Sequence, residues 1–153
     1  MNSSKSSHLT EAVIAIFRTH GRLLDWGDNF TAPFGLTSAR WQMLGALVLS
    51  GQPLTAPQIA ASMGVSRQAA QKQLNLLATG DLLTKKPNPQ HKRSPHYELT
   101  SKGAAVYAAL ERQWNDHAEK LSRELELNDL LALKRTLAVL YETHATVPEG
   151  NPQ

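Results

Sequence analysis

This 153-residue sequence contains no cysteine. Disulfides, thiolate metal ligands, cysteine nucleophiles and thiol-based redox sensing are thereby excluded. An uninterrupted apolar run of membrane-spanning length is also missing, so no membrane partner is expected. Met1 to His8 is Ser-rich and polar, without the apolar stretch behind a basic start that marks a signal peptide. The expected setting is therefore cytoplasmic. There is no Gly-rich phosphate loop and no Gly-x-Ser-x-Gly elbow, and Glu119, Glu124 and Glu126 read as a solvated helical face. His91 and His96 lie close in sequence but no cysteine or close carboxylate joins them, and His8, His20, His117 and His144 are scattered, whereas zinc needs about four converging ligands. The sequence thus argues against an enzyme, a metal site and a bound cofactor, and it offers no catalytic residue.

Acidic side chains are scarce in one particular stretch. Residues 66–103 hold seven Lys/Arg (Arg67, Lys72, Lys85, Lys86, Lys92, Arg93, Lys102) against Asp81 and Glu98. That is a local balance of +5 within a chain whose net charge is only +3. The remainder is slightly acidic, so a modest total hides a strong asymmetry. A basic footprint on one supersecondary unit fits a nucleic-acid-binding surface, because phosphate neutralisation supplies most non-specific affinity. An ordinary solvated hairpin bearing lysines would give the same charge count, so the pattern of residues has to decide.

Helical periodicity dominates that pattern. His8–Phe30 carries Leu9, Val13, Ile16, Phe17, His20, Leu23 and Leu24 at spacings that suit an amphipathic helix. Pro33, Phe34 and Gly35 break it. A second helix is expected from Thr37 or Ser38, either of which can N-cap, to about Leu49. Ser50-Gly51-Gln52-Pro53 reads as a stop and a short connection. Thr55-Ala56-Pro57-Gln58 has the form of a capping box opening a short helix to Met63. Gly64-Val65 then turns the chain, and Ser66 caps a further helix to about Thr79. Two short helices joined through a glycine turn are a helix-turn-helix signature.

At 100° per residue, Ala70, Leu74 and Leu77 share one face of this second helix. Gln68, Gln71, Lys72 and Asn75 fall opposite. Solvated helical faces usually mix Glu with Lys, whereas amides and cations match the hydrogen-bonding edges of bases in the major groove. Gly80 is expected to end the helix as a left-handed cap. Leu82–Lys86 and His96–Thr100 read as two strands around a turn-rich basic tip, Pro87 to Pro95, and Pro95 argues for an edge position of the second strand. The expected unit is a winged helix: mainly α, with a small β-hairpin wing. Thr100 or Ser101 should cap a long helix to about Leu125, and a last helix should run from about Asp129 to His144. The first and the last two helices carry more apolar surface than a winged helix needs, which points to a second lobe and a dimer interface.

These features resemble the MarR family of bacterial and archaeal transcriptional regulators, over roughly residues 9–143. The most specific stretches are Leu54-Thr-Ala-Pro-Gln-Ile-Ala-Ala-Ser-Met-Gly-Val-Ser-Arg-Gln68 and the wing ending in Leu99-Thr-Ser-Lys-Gly103. In the family, the wing reads Asp-x-Arg, followed six residues after the Arg by Leu-Thr-x-x-Gly. Arg93 stands at the Arg position, and His91 replaces the Asp. The resemblance implies a homodimer clamped by its terminal helices. Each subunit would present the Ser66–Thr79 helix to the major groove of double-stranded DNA and its wing to the minor groove, Arg93 entering the latter. The expected DNA contacts are Ser66, Arg67, Gln68, Gln71, Lys72, Asn75, His91, Lys92 and Arg93. His91, when protonated, adds positive charge at the DNA, so affinity is expected to rise as pH falls from about 7.5 to 6.

The resemblance also implies a small aromatic effector, for which His20, Trp26, Arg40 and Trp41 are the candidates by position. Residues 1–7 and 147–153 are expected to be disordered tails flanking one domain, 8–146. Within it, the DNA-binding lobe covers about 37–100 and the dimerisation lobe about 8–32 and 102–144. The function expected is that of a ligand-responsive repressor acting on a near-palindromic operator. A winged helix turned to protein partners, or non-specific DNA binding, is the alternative. The former would favour apolar or aromatic anchors on the reading helix, and none of Gln68, Gln71, Lys72 and Asn75 is one.

Overall fold

A computed structural model of the chain describes residues 4–145. Among the described residues the element order is α1 (Lys5–Thr31), a 3-10 turn (Ala32–Phe34), α2 (Ser38–Ser50), β1 (Leu54–Thr55), α3 (Ala56–Met63), α4 (Arg67–Thr79), β2 (Leu83–Lys86), β3 (His96–Leu99), α5 (Ser101–Ser122) and α6 (Leu127–Thr143). This is a mainly helical winged helix with a small sheet. The chain divides into two compact units, Met1–Glu111 and Arg112–Gln153, with the boundary inside α5.

The first unit contains the core. Met43, Leu44 and Leu47 from α2, Ile59 and Ala60 from α3, and Ala70, Leu74 and Leu77 from α4 are buried together with Leu83, Tyr97 and Leu110. The three residues that the wheel assigned to the inner face of α4 are its buried residues. The entry into α2 is fixed by polar groups: Thr37 Oγ1 accepts from Arg40 N at 3.3 Å, and Asp28 Oδ1 accepts from Ser38 N at 2.8 Å. Thr31 is fully buried, its hydroxyl donating to the Gly27 carbonyl at 2.7 Å. The predicted capping box of α3 forms, with Gln58 N donating to Thr55 Oγ1 and Thr55 N donating to Gln58 Oε1. Gly64 adopts φ 65 between α3 and α4, the left-handed turn that a helix-turn-helix requires here.

Four local expectations are corrected. α1 starts at Lys5, inside the stretch read as a tail, because Ser4 Oγ accepts from Ser7 N at 3.2 Å and caps it. Met1–Ser3 and residues 146–153 lie outside the described residues. Leu54-Thr55, for which no strand was expected, is one, and the sheet has the order β1-β3-β2. β3 is therefore central rather than at an edge: Tyr97 pairs with Leu54 on one side and Lys85 on the other. Pro95 is compatible with this because it precedes the ladder and its missing N–H is not required there. Finally, Gly80 has φ −78, and the left-handed residue is Asp81 at φ 60. Asp81 N donates to the Ala78 carbonyl at 3.1 Å and Leu82 N to the Leu77 carbonyl at 2.9 Å. These are the paired bonds of a Schellman motif. Burial of both Leu77 and Leu82 sets the reversal one residue later than the glycine suggests.

In the second unit, Arg123 pairs with Glu119 on α5 at 3.0 Å. α6 leaves Leu127, Leu131, Leu133, Leu137 and Val139 exposed. In the first unit α1 likewise exposes Leu9, Ile14, Leu23 and Phe17, the last at 73%. No helix among the described residues is long and apolar enough to cross a membrane.

Candidate nucleic-acid interface

The outer face of α4 is built by its own register. Burying Ala70, Leu74 and Leu77 turns Gln68, Lys72 and Asn75 outward, where all three are exposed. Gln71 is half-buried, and its Nε2 donates to Asn75 Oδ1 and to Tyr97 Oη, both at 2.9 Å. Ser66 uses its hydroxyl to accept from Ala69 N at 3.1 Å and so starts the helix. Arg67 is exposed in the first helical turn. The exposed Leu76 lies on the same outer strip as Lys72 and Asn75.

The wing supplies the second half. Its tip is organised by Asn88, a buried side chain that sequence reasoning missed. Asn88 Nδ2 donates to the Ser94 carbonyl at 2.9 Å, and Asn88 Oδ1 accepts from Gln90 N at 3.2 Å. Backbone bonds from His91 N to the Asn88 carbonyl and from Ser94 N to the His91 carbonyl complete the turn. His91, Lys92 and Arg93 are all exposed on it. Lower on the hairpin, Lys86 Nζ lies 2.8 Å from Glu98 Oε1, and that hydrogen bond and charge hold the ammonium above its ordinary range. A groove of about 300 Å³ joins the two halves, lined by Arg67, Gln68 and Gln71 from α4 and by Arg93, Ser94 and Pro95 from the wing. Its lining combines the cations Arg67 and Arg93 with the amides of Gln68 and Gln71 and, from α3, Ala56 and Pro57. Such a concavity can seat a phosphate backbone while its amides face base edges.

A family model described as MarR family matches residues 34–94, the stretch that holds this interface. The Mycobacterium tuberculosis protein Rv2011c is 37% identical over 105 residues, which cover 69% of this chain and 72% of that one. The chain belongs to the MarR family. Its fold also matches that of a MarR family transcription regulator, SP03579, at 25% identity and a TM-score of 0.76, over 92% of this chain and 93% of that one. A transcriptional repressor, CouR, solved bound to a 23-mer DNA duplex, is 27% identical with a TM-score of 0.72, over 91% and 99% of the two chains. MarR family proteins are transcription regulators, not enzymes.

The Leu-Thr-x-x-Gly signature of this MarR chain has a geometric cause. Thr100 Oγ1 donates to the Asp81 carbonyl at 2.6 Å and accepts from Gly103 N at 2.9 Å, capping α5. Lys102 Nζ donates to the Gly80 carbonyl at 3.2 Å. A Cβ on Gly103 would collide with the Leu82 carbonyl oxygen, which is backbone and cannot move aside. The signature thus docks the start of α5 on the turn that ends α4.

Of the residues proposed for an effector, Trp26 and Trp41 are linked through Phe30. The Trp26 and Phe30 rings stack at 4.7 Å, and the Phe30 and Trp41 rings lie 5.5 Å apart. Arg40 donates from Nε to Thr37 Oγ1 at 3.3 Å. His20 is exposed on α1, six positions before Trp26 and so about 120° away around the helix. The geometry groups Trp26 with Trp41 and leaves His20 outside that group. Among the described residues no group of three or more His, Asp or Glu could hold a metal ion.

Proposed function

We propose that this MarR family protein is a sequence-specific, double-stranded DNA-binding transcription regulator. It acts as a homodimer on a near-palindromic operator, as a repressor released by a small aromatic effector. The observation that carries this reading is the groove between α4 and the wing, lined by the amides of Gln68 and Gln71 and by Arg67 and Arg93. Each subunit places α4 in a major groove and the wing tip in the adjoining minor groove. Arg93 enters the latter, where a narrow A·T-rich groove concentrates negative potential. Ser66, Lys72, His91 and Lys92 contact phosphates, and Gln68, Gln71 and Asn75 face base edges. The solved complexes of CouR with a DNA duplex and of Escherichia coli MarR with operator DNA support the partner class.

Homodimerisation rests on the apolar side chains left exposed on α1 and α6. Two-fold symmetry of the protein imposes near-palindromy on its site. The aromatic cluster of Trp26, Phe30 and Trp41, with Arg40 adjoining Trp41 in the chain, suits a planar anionic or phenolic effector, and His20 is a further candidate. The place of action is the cytoplasm, where the DNA lies.

Selection from a random duplex library, followed by titration of the winner at several salt concentrations, tests this. An enriched near-palindrome bound as one dimer far more tightly than scrambled DNA is the expected result. Gln68→Ala is expected to relax discrimination by about 1–3 kcal/mol at its base pair. Arg93→Ala should lower affinity and reduce the salt slope by about one. Absence of enrichment at every salt concentration, with and without aromatic acids, would overturn the reading in favour of protein partners or non-specific binding.

A further inference from the structure

The Gln71 amide is the one group on the reading face that is tied to the sheet. Its Nε2 carries two N–H donors, and both are committed, one to Asn75 Oδ1 and one to Tyr97 Oη. Tyr97 is 1% exposed and lies on β3, the central strand, paired to β1 through Leu54 and to β2 through Lys85. Lys85 Nζ sits 5.9 Å from the centre of its ring. The position of the Tyr97 hydroxyl is therefore set by two strand ladders and by the core, while its oxygen meets Gln71 on α4.

We propose that Tyr97 is a positioning residue for base recognition: its hydroxyl fixes the Gln71 amide, which in turn orients Asn75, so that both amides meet DNA already aligned. This rests on the DNA-binding reading above. With Nε2 occupied, Gln71 keeps its Oε1 as an acceptor, and Asn75 keeps its Nδ2 as a donor. Together they offer one donor and one acceptor, the kinds of group that the adenine N7 and N6 edge pairs with. Reversing both amides preserves the two bonds, with the hydroxyl then donating, so the coupling holds in either arrangement. Preorganisation of this kind lowers the ordering cost that a free glutamine side chain incurs on binding. It needs the hydroxyl and not the ring, which separates it from the packing role of Tyr97.

The experiment uses the full chain as wild type, Tyr97→Phe, Gln71→Ala and the double variant, with the operator selected by the wild type. Binding constants are measured for that operator, for each single base-pair substitution of it, and for scrambled duplex. Thermal unfolding is recorded alongside. Tyr97→Phe is expected to lower discrimination about fivefold at the base pairs that Gln71→Ala affects. It should leave discrimination elsewhere and affinity for scrambled duplex unchanged. In the Gln71→Ala background it should have no further effect, which a loss of packing alone would not produce. Retained discrimination in Tyr97→Phe, or an equal loss in both backgrounds, overturns the proposal while leaving sequence-specific binding intact. If the wild type itself enriches no sequence, the DNA-binding reading fails first and the positioning role fails with it.

Discussion

At the scale of single residues, close approach and backbone geometry make sharper demands than side-chain chemistry. Gly103→Ala would drive a methyl group into the Leu82 carbonyl. We expect it to cost about 1–3 kcal/mol, read as a lower urea midpoint. Asp81 bears the opposite prediction. It holds φ 60 at the left-handed position of the Schellman motif, where an L side chain is strained and a negative charge opposes the helix dipole. Asp81→Gly should therefore stabilise the protein by about 0.5–1 kcal/mol, visible as a raised melting temperature. Residue-level legibility follows sequence distance. Gln68, Lys72 and Asn75 were readable as an outward face because 100° steps along one helix place them. Tyr97 was not, because its partner Gln71 lies 26 positions away. Asn88 was hidden as well: in a turn-rich tip an asparagine reads as solvated, and only the folded loop buries it.

At the scale of elements, helices announced themselves through apolar spacing or, at α3 and α5, through their caps, and the boundaries shifted where caps decided them. β1 was silent because two residues carry no period. That omission also put β3 at an edge, since one unseen strand changes its neighbour's place in the sheet. The wing yields two pH statements. Folding brings Lys86 to Glu98, whose hydrogen bond and charge raise the lysine above its ordinary value. While Glu98 is ionised, the contribution of that pair is complete below the unfolded-state lysine value and is lost as pH rises through the folded one. Between pH 6 and 8 it is constant. Operator affinity across that window therefore tests His91, exposed beside Lys92 and Arg93. His91→Ala should abolish the tightening on acidification, as measured by operator titrations at pH 7.5 and 6; a variant that still tightened would remove His91 from that role.

At the scale of the whole molecule, charge and hydrophobicity are segregated along the chain. Basic residues gather between Arg67 and Lys102, and exposed apolar side chains gather on α1 and α6. The former were legible by counting. The latter were legible as a surplus, although which of them stay uncovered could be known only from the fold. Replacing Leu133 and Leu137 on α6 by Glu should turn a dimer into a monomer in sedimentation velocity. Operator affinity should fall on the order of 100-fold or more as the two reading heads lose their link. The β1–β3 pairing carries a further consequence for motion. Thr55 ends β1 and is also the N-cap of α3, so the strand that secures the wing is covalently continuous with the helix-turn-helix. A hairpin attached only at its base could fray by itself, exchanging its amide protons within milliseconds. Here, releasing His96 and Tyr97 from β1 also loosens the start of α3. Hydrogen exchange should therefore report one shared opening free energy for the central wing strand and the first turn of α3.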